Sequence, residues 1–192
     1  MSLENNNDAF MANLYVDGLP LVLNQQRLKR RLQDPRITRR ERLDVEVALA
    51  DRDGTSFVTL ADHEDDKPLL FKFALQGDKY AVTAVLRGMY DGWRLKIEAN
   101  THHLSVSDSA ASSLFSISKH GAPRARLEHL GAGPSYIQLV SERNGRALYK
   151  AEEAGRKYFM DVDPNTTVHN AFNNTPVAFV LKIVDKLVPA AK

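Results

Sequence analysis

Tyr90, Asp91 and Gly92 place an aromatic face, an acceptor carboxylate and a turn residue next to one another, a combination suited to stacking on a sugar ring and accepting from its hydroxyls. Trp93 follows directly and is the only tryptophan among 192 residues. At the tip of an Asp-Gly turn, the Tyr90 ring is expected to be exposed. Trp93 alternates with Leu95 and Ile97, which puts all three on one face of a strand and makes the indole a candidate core cap as well as a ligand contact. Tyr90, Asp91 and Trp93 are therefore the candidate ligand-binding residues.

A second chemistry lies earlier in the chain. Between Arg27 and Arg42 there are eight basic residues (Arg27, Lys29, Arg30, Arg31, Arg36, Arg39, Arg40 and Arg42) against two acidic ones, a local charge of +6 in a chain whose total is +2, which leaves −4 for the remainder. Clustered guanidinium groups can neutralise phosphates of nucleic acid or of an anionic membrane surface, and these eight residues are the candidate anion-binding set. The alternative is that the segment docks on the acidic remainder of its own chain. No aromatic residue is interleaved with the basic ones, so stacking on single-stranded bases is not indicated.

Metal and catalytic patterns fail on inspection. Asp161-Val162-Asp163-Pro164-Asn165 begins like a calcium loop, but Thr166 stands where the bend needs Gly and Phe172 where a bidentate Glu would sit. His63-Glu64-Asp65-Asp66 and His102-His103 match no zinc spacing, and in a strand the two adjacent imidazoles point to opposite faces. With no cysteine there is neither a disulfide nor thiolate chemistry. Nucleophile-elbow and phosphate-loop motifs are missing too. No metal, cofactor or catalytic residue is assigned.

The elements that must position these residues are strands. Apolar residues make up 43% and charged residues 26%, ordinary for a folded domain with its own core. No apolar run approaches the roughly 20 residues needed to span a bilayer. The polar start lacks the pattern of a secretory signal, so the expectation is a soluble protein that is cytoplasmic, has lost a leader, or is exported by a non-classical route. Residues 1–10 are read as a flexible terminus and 11–188 as one β-domain. Asn13–Val16 and Leu19–Leu23 form a hairpin on Asp17-Gly18. Residues 24–42 form a basic, partly helical arm, because Leu28 and Leu32 are one helical turn apart and Asp34-Pro35 interrupts the run.

From Leu43 onward the strands recur in three units, about 43–75, 79–119 and 124–185. Each is read as two strands flanking an Asp-Gly or Asn-Gly turn, at Asp53-Gly54, Asp91-Gly92 and Asn144-Gly145, and each closes on an apolar strand carrying Phe71, Phe115 or Phe179. In the first unit the flanking strands are Leu43–Ala50 and Ser56–Leu60. This repeat resembles a β-trefoil, in which three such units build a six-stranded barrel capped by three hairpins. The resemblance implies a pseudo-threefold axis and a rigid scaffold with variable loops. Its members include ricin-type lectins, fascins, Kunitz-type inhibitors and growth-factor-like proteins, so fold alone leaves function open. The Gln-x-Trp signature of ricin-type lectins does not occur. Another closed or sandwiched β architecture is the competing fold.

The resulting expectation is a non-enzymatic binding protein that recognises carbohydrate or a protein partner through loops. An anion-binding interaction module using residues 27–42 is the alternative, and an enzyme of unrecognised type is third.

Overall fold

The structure is a computed structural model and describes residues 9–109, 113–162 and 175–187. Strand accounts for 45% and helix for 17% of the described residues, so the β class expected from the turn and alternation signals holds. The first barrel strand, β1 (Ala9–Val16), alternates half-buried and buried residues along its length. Phe10 is fully buried in it, so the segment read as a frayed terminus is structural from Ala9 onward. A turn at Asp17-Gly18, with both φ angles positive, leads into β2 (Leu19–Leu23).

Three helices follow: α1 (Asn24–Leu32), α2 (Arg39–Ala50) and the single turn α3 (Arg52–Thr55). The chain then returns as β3 (Val58–Leu60), which pairs with β2, and β4 (Leu70–Gln76), which pairs with β1. The helical reading of 24–42 is correct in kind and too short in extent. Leu43–Ala50, read as a strand from its alternating Leu43, Val45, Val47 and Leu49, is the body of α2. The cause is local: the Glu41 amide donates to Thr38 Oγ1 (3.2 Å) and the Thr38 amide to Glu41 Oε2 (3.0 Å), a capping box that starts a helix ahead of the alternation. Gly54 consequently lies in α3 and makes no hairpin turn, and it is not among the glycines with positive φ.

The next interval runs β5 (Lys79–Val85), β6 (Arg94–Ile97), β7 (Leu104–Ser107) and β8 (Phe115–Ser118). A 3₁₀ turn at Leu127–His129 precedes β9 (Ser135–Ser141). The last interval contains the short β10 (Arg146–Ala147), the hairpin β11 (Tyr149–Glu153) and β12 (Arg156–Met160), and the final strand β13 (Phe179–Leu187).

Six of these strands close on themselves. β1 pairs with β4, β4 with β5, β5 with β8, β8 with β9, β9 with β13 and β13 with β1, all antiparallel. Around the barrel the strands thus follow chain order, and alternate steps are interrupted by an excursion containing a strand pair: β2 with β3, β6 with β7, β11 with β12. The pairs touch one another in a ring. Phe57 bridges Ser105, His103 bridges Met160, and Thr59 Oγ1 donates to the carbonyl of Lys157 at 2.8 Å.

The turns leading from barrel strands β1, β5 and β9 into these excursions hold Gly18, Gly92 and Gly145, with φ of 81°, 75° and 61°. Gly18, rather than Gly54, therefore occupies the turn position that matches Gly92 and Gly145. The expected closing strands are the ones observed: Phe71, Phe115 and Phe179 are fully buried on β4, β8 and β13. Two residues on, Phe73 faces Val82, Ile117 faces Leu139 and Leu181 faces Leu14 across the next strand of the barrel. Phe10 stacks on Phe73 at 4.9 Å, and Tyr80 meets both edge-on. Burying such rings removes a large apolar area from water and supplies stability that the absent disulfides cannot.

Candidate functional site

The basic residues are distributed over the helical insertion: Arg27, Lys29, Arg30 and Arg31 on α1, Arg36 in the connection, and Arg39, Arg40 and Arg42 on α2. Two of the eight are answered within the chain. Arg27 reaches Asp62 at 3.4 Å and Arg30 reaches Asp66 at 3.3 Å, so the loop containing His63-Glu64-Asp65-Asp66 is a counter-surface for α1. Among the described residues, Lys29, Arg31, Arg36, Arg39, Arg40 and Arg42 form no ion pair. The cavity of about 600 Å³ between α1 and this loop is lined by Asp34, Asp62 and Asp66 as well as Arg30 and Arg31, so its charges offset one another and it does not select an anion.

The insertion is pinned by Asn24, 3% exposed. Its amide nitrogen donates to the Gly54 carbonyl at 2.7 Å, and its backbone N–H donates to the carbonyl of Phe57 at 2.9 Å. These bonds hold α3 and the start of β3 in place beside the strand pair β6–β7.

Tyr90 does not project from its turn. It is 2% exposed, and its hydroxyl lies 2.6 Å from Thr55 Oγ1 and 3.5 Å from the Arg52 carbonyl, while its ring meets Trp93 edge-on at 4.7 Å. The expected exposure fails because α3 comes over the loop and offers the Tyr90 hydroxyl two partners, Thr55 Oγ1 and the Arg52 carbonyl, while Trp93 covers its ring. Asp91 is exposed, but its carboxylate accepts the Leu86 amide at 3.1 Å and serves the turn. Trp93 is half-buried against the core, as its alternation with Leu95 and Ile97 implies, and its remaining surface faces a groove. Of the three candidate ligand residues, Tyr90 and Trp93 line that groove and Asp91 does not.

The groove runs between α3 and the outward face of β6–β7. Strand alternation sends Leu95, Ile97, Leu104 and Val106 inward, and leaves Lys96 opposite Ser105 and Arg94 opposite Ser107 on the other side. One end, about 390 Å³, is bordered by Met89, Trp93, Arg52 and Ser107. The other, about 310 Å³, is bordered by Asn100, Thr101, His103 and Phe57. Asp53, Ser56, Glu98 and Ser105 line both, so the two form one continuous trough. Its charged side chains balance: Arg52 and Lys96 against Asp53 and Glu98, with Lys96 and Glu98 3.7 Å apart. Met89 is half exposed and provides an apolar lip.

One wall is held from the far side by the last strand pair. His103 stacks on Tyr158 at 4.1 Å, and Tyr158 packs against Phe57 at 4.7 Å. Burial pushes the His103 imidazole below its ordinary value; Glu153 opposes that shift and His102 adds to it. At pH 7 the His103 ring is therefore neutral. His102, with φ of +59°, turns away and reaches the fully buried Asp161, Nδ1 to Oδ1 at 3.3 Å. Asp161 Oδ2 accepts from Asn144 Nδ2 (2.7 Å) and Ser141 Oγ (3.4 Å). The residue that opens the calcium-like sequence thus ties β9 and the Gly145 turn to the β6–β7 loop. Asp163 and Asn165 lie outside the described residues.

Arg52, Asp53, Met89, Lys96, Glu98 and His103 line the trough and were not among the ligand-binding candidates read from the sequence. The alternation of Lys96 with Leu95 and Ile97 was the available signal for one of them; α3 was concealed by the Asp53-Gly54 dipeptide. Among the described residues there is no group of three or more His, Asp or Glu side chains placed to hold a metal ion, and no helix is long and apolar enough to cross a membrane. No protein-family model matches this chain, and comparison with curated proteins and with solved structures finds no match.

Proposed function

We propose that the chain is a non-enzymatic binding module of β-trefoil type that takes a short, uncharged saccharide in the trough between α3 and β6–β7. The trefoil assignment is supported by the chain-order barrel, the three strand-pair excursions that contact one another in a ring, and the matched positions of Gly18, Gly92 and Gly145 and of Phe71, Phe115 and Phe179. Superposing residues 9–76, 79–118 and 135–187 on one another tests it. Failure of the glycine turns and closing strands to overlay removes the trefoil.

The observation that carries the ligand reading is the composition of the trough. It joins the exposed part of an indole and a thioether to hydroxyl, amide, carboxylate and ammonium groups whose charges cancel. A sugar ring has an apolar C–H face and a rim of hydroxyls that both donate and accept, and it meets both needs without a charge of its own. A phosphorylated or strongly anionic ligand would leave Asp53 and Glu98 repelled and Arg52 and Lys96 only partly satisfied.

Trp93 makes the test direct, because it is the only tryptophan in the sequence. A glycan array run with the purified chain selects the ligand, and titration of that glycan should change Trp93 emission saturably. Lys96→Ala should weaken the same titration about tenfold or more, the scale of one charge-assisted hydrogen bond. Binding that leaves the emission unchanged places the ligand elsewhere, and an array without hits removes the carbohydrate reading in favour of a protein partner.

A further inference from the structure

Helix α2 wears its apolar side outward. Residues along a helix are separated by about 100°, so Val45, which is buried, and the half-buried Ala48 and Leu49 define the inner side. Leu43 and Val47, one turn apart, are 57% and 73% exposed on the opposite side. Arg39 and Arg40 precede Leu43 by four and three residues and share that sector, with Asp44 and Glu46 toward its flanks.

The placement of the arginines also works against the helix. Arg39, Arg40 and Arg42 occupy its first turn, where the aligned peptide dipoles favour acidic side chains, and among the described residues none of them meets a carboxylate.

We propose that the outward face of α2, comprising Arg39, Arg40, Leu43 and Val47, docks on an anionic lipid surface. The arginines meet headgroup phosphates, and the two aliphatic side chains enter the boundary between headgroups and acyl chains, as in helices that lie in the membrane interface. The insertion as a whole, residues 24–50, carries eight basic side chains against four acidic ones (Asp34, Glu41, Asp44 and Glu46), and this excess favours an anionic partner. The aliphatic pair at the centre of the contact favours lipid over nucleic acid, whose phosphate backbone is bound by cations and polar groups. Each arginine near such a surface contributes about fivefold to partitioning, so Arg39 and Arg40 give about 25-fold before Leu43 and Val47 add to it.

The test is cosedimentation of the full chain with vesicles of neutral phosphatidylcholine and with vesicles containing about a third phosphatidylserine, at low and high salt. Binding should need the anionic lipid and fade with salt. Arg39→Ala with Arg40→Ala should lower partitioning about 25-fold, and Leu43→Ser with Val47→Ser several-fold. The thermal melt of each variant should be retained, since all four side chains are exposed. Equal binding to neutral vesicles, or binding unaffected by both variants, overturns the proposal. So does an absence of vesicle binding, including the case in which duplex DNA is bound and the arginine variant abolishes that binding.

Discussion

Replacing Tyr90 tests the architecture of the site most sharply, because the turn at Asp91-Gly92 and the burial of the ring lead to opposite outcomes. A tyrosine at an exposed loop tip can be truncated with little effect on stability. Here the ring is 2% exposed, meets Trp93 at 4.7 Å, and its hydroxyl sits 2.6 Å from Thr55 Oγ1. Truncating a buried aromatic to Ala costs about 3–5 kcal/mol. For a chain of this length each kcal/mol lowers the melting temperature by roughly 2–4 °C, so Tyr90→Ala should melt about 6–20 °C below the parent. Tyr90→Phe keeps the ring and loses one buried hydrogen bond, about 1 kcal/mol, because Thr55 can still donate to the Arg52 carbonyl at 3.0 Å. The backbone adds an internal control. Residue 90 has φ of +74°, where a Cβ costs roughly 1–2 kcal/mol, so Tyr90→Gly should be at least as stable as Tyr90→Ala, the reverse of the order seen in helices. Differential scanning calorimetry on the three variants decides the matter. A melt of Tyr90→Ala within about a degree of the parent would refute the burial of the ring and with it the contact between α3 and the trough.

Asp161→Asn removes the charged acceptor that Asn144, Ser141 and His102 share and places an amide nitrogen among donors, so chemical denaturation should show a loss of about 2–3 kcal/mol, with no loss counting against the network. His103 links stability to pH: its folded pKa lies below the ordinary 6.5, so the unfolded chain takes up that proton first, and its contribution is complete above about pH 6.5 and lost as pH falls from there through the folded value. His103→Phe retains a ring against Tyr158 and should flatten that part of the profile; an unchanged slope between pH 7.5 and 5.5 would show that the imidazole is not protected by burial.

Much of the barrel was readable because its signals are local. Phe71, Phe115 and Phe179 lie in short apolar runs bounded by turn residues, and Gly92 and Gly145 belong to dipeptides whose positive φ is required wherever two strands reverse. Asp17-Gly18 carries the same signal. Recognising it as the match of those two took the pairing of β1 with β4 and β13, because 34 residues of helix and connection, residues 24–57, separate β2 from β3. Leu43–Ala50 misled for a physical reason. Its every-second-residue pattern fits a strand, but capping by Thr38 and Glu41 starts a helix, and a helix then exposes the alternating residues Leu43 and Val47.

The amino-acid sequence by itself determined the β class, the closing strands, two of the three glycine turns and the helical, basic character of the segment after β2. Each of those follows from periodicity, turn chemistry or charge within about ten residues. Only the tertiary structure decided which side chains share a site. Tyr90 is buried because Thr55 stands over it, 35 positions away in sequence; the trough exists because Asn24 fixes α3 beside β6–β7; and Asp161 is an internal tie because its partners arrive from β9 and from the loop at His102. Such contacts join residues with no local pattern in common, and chain closure around the barrel is what brings them within a hydrogen bond of one another.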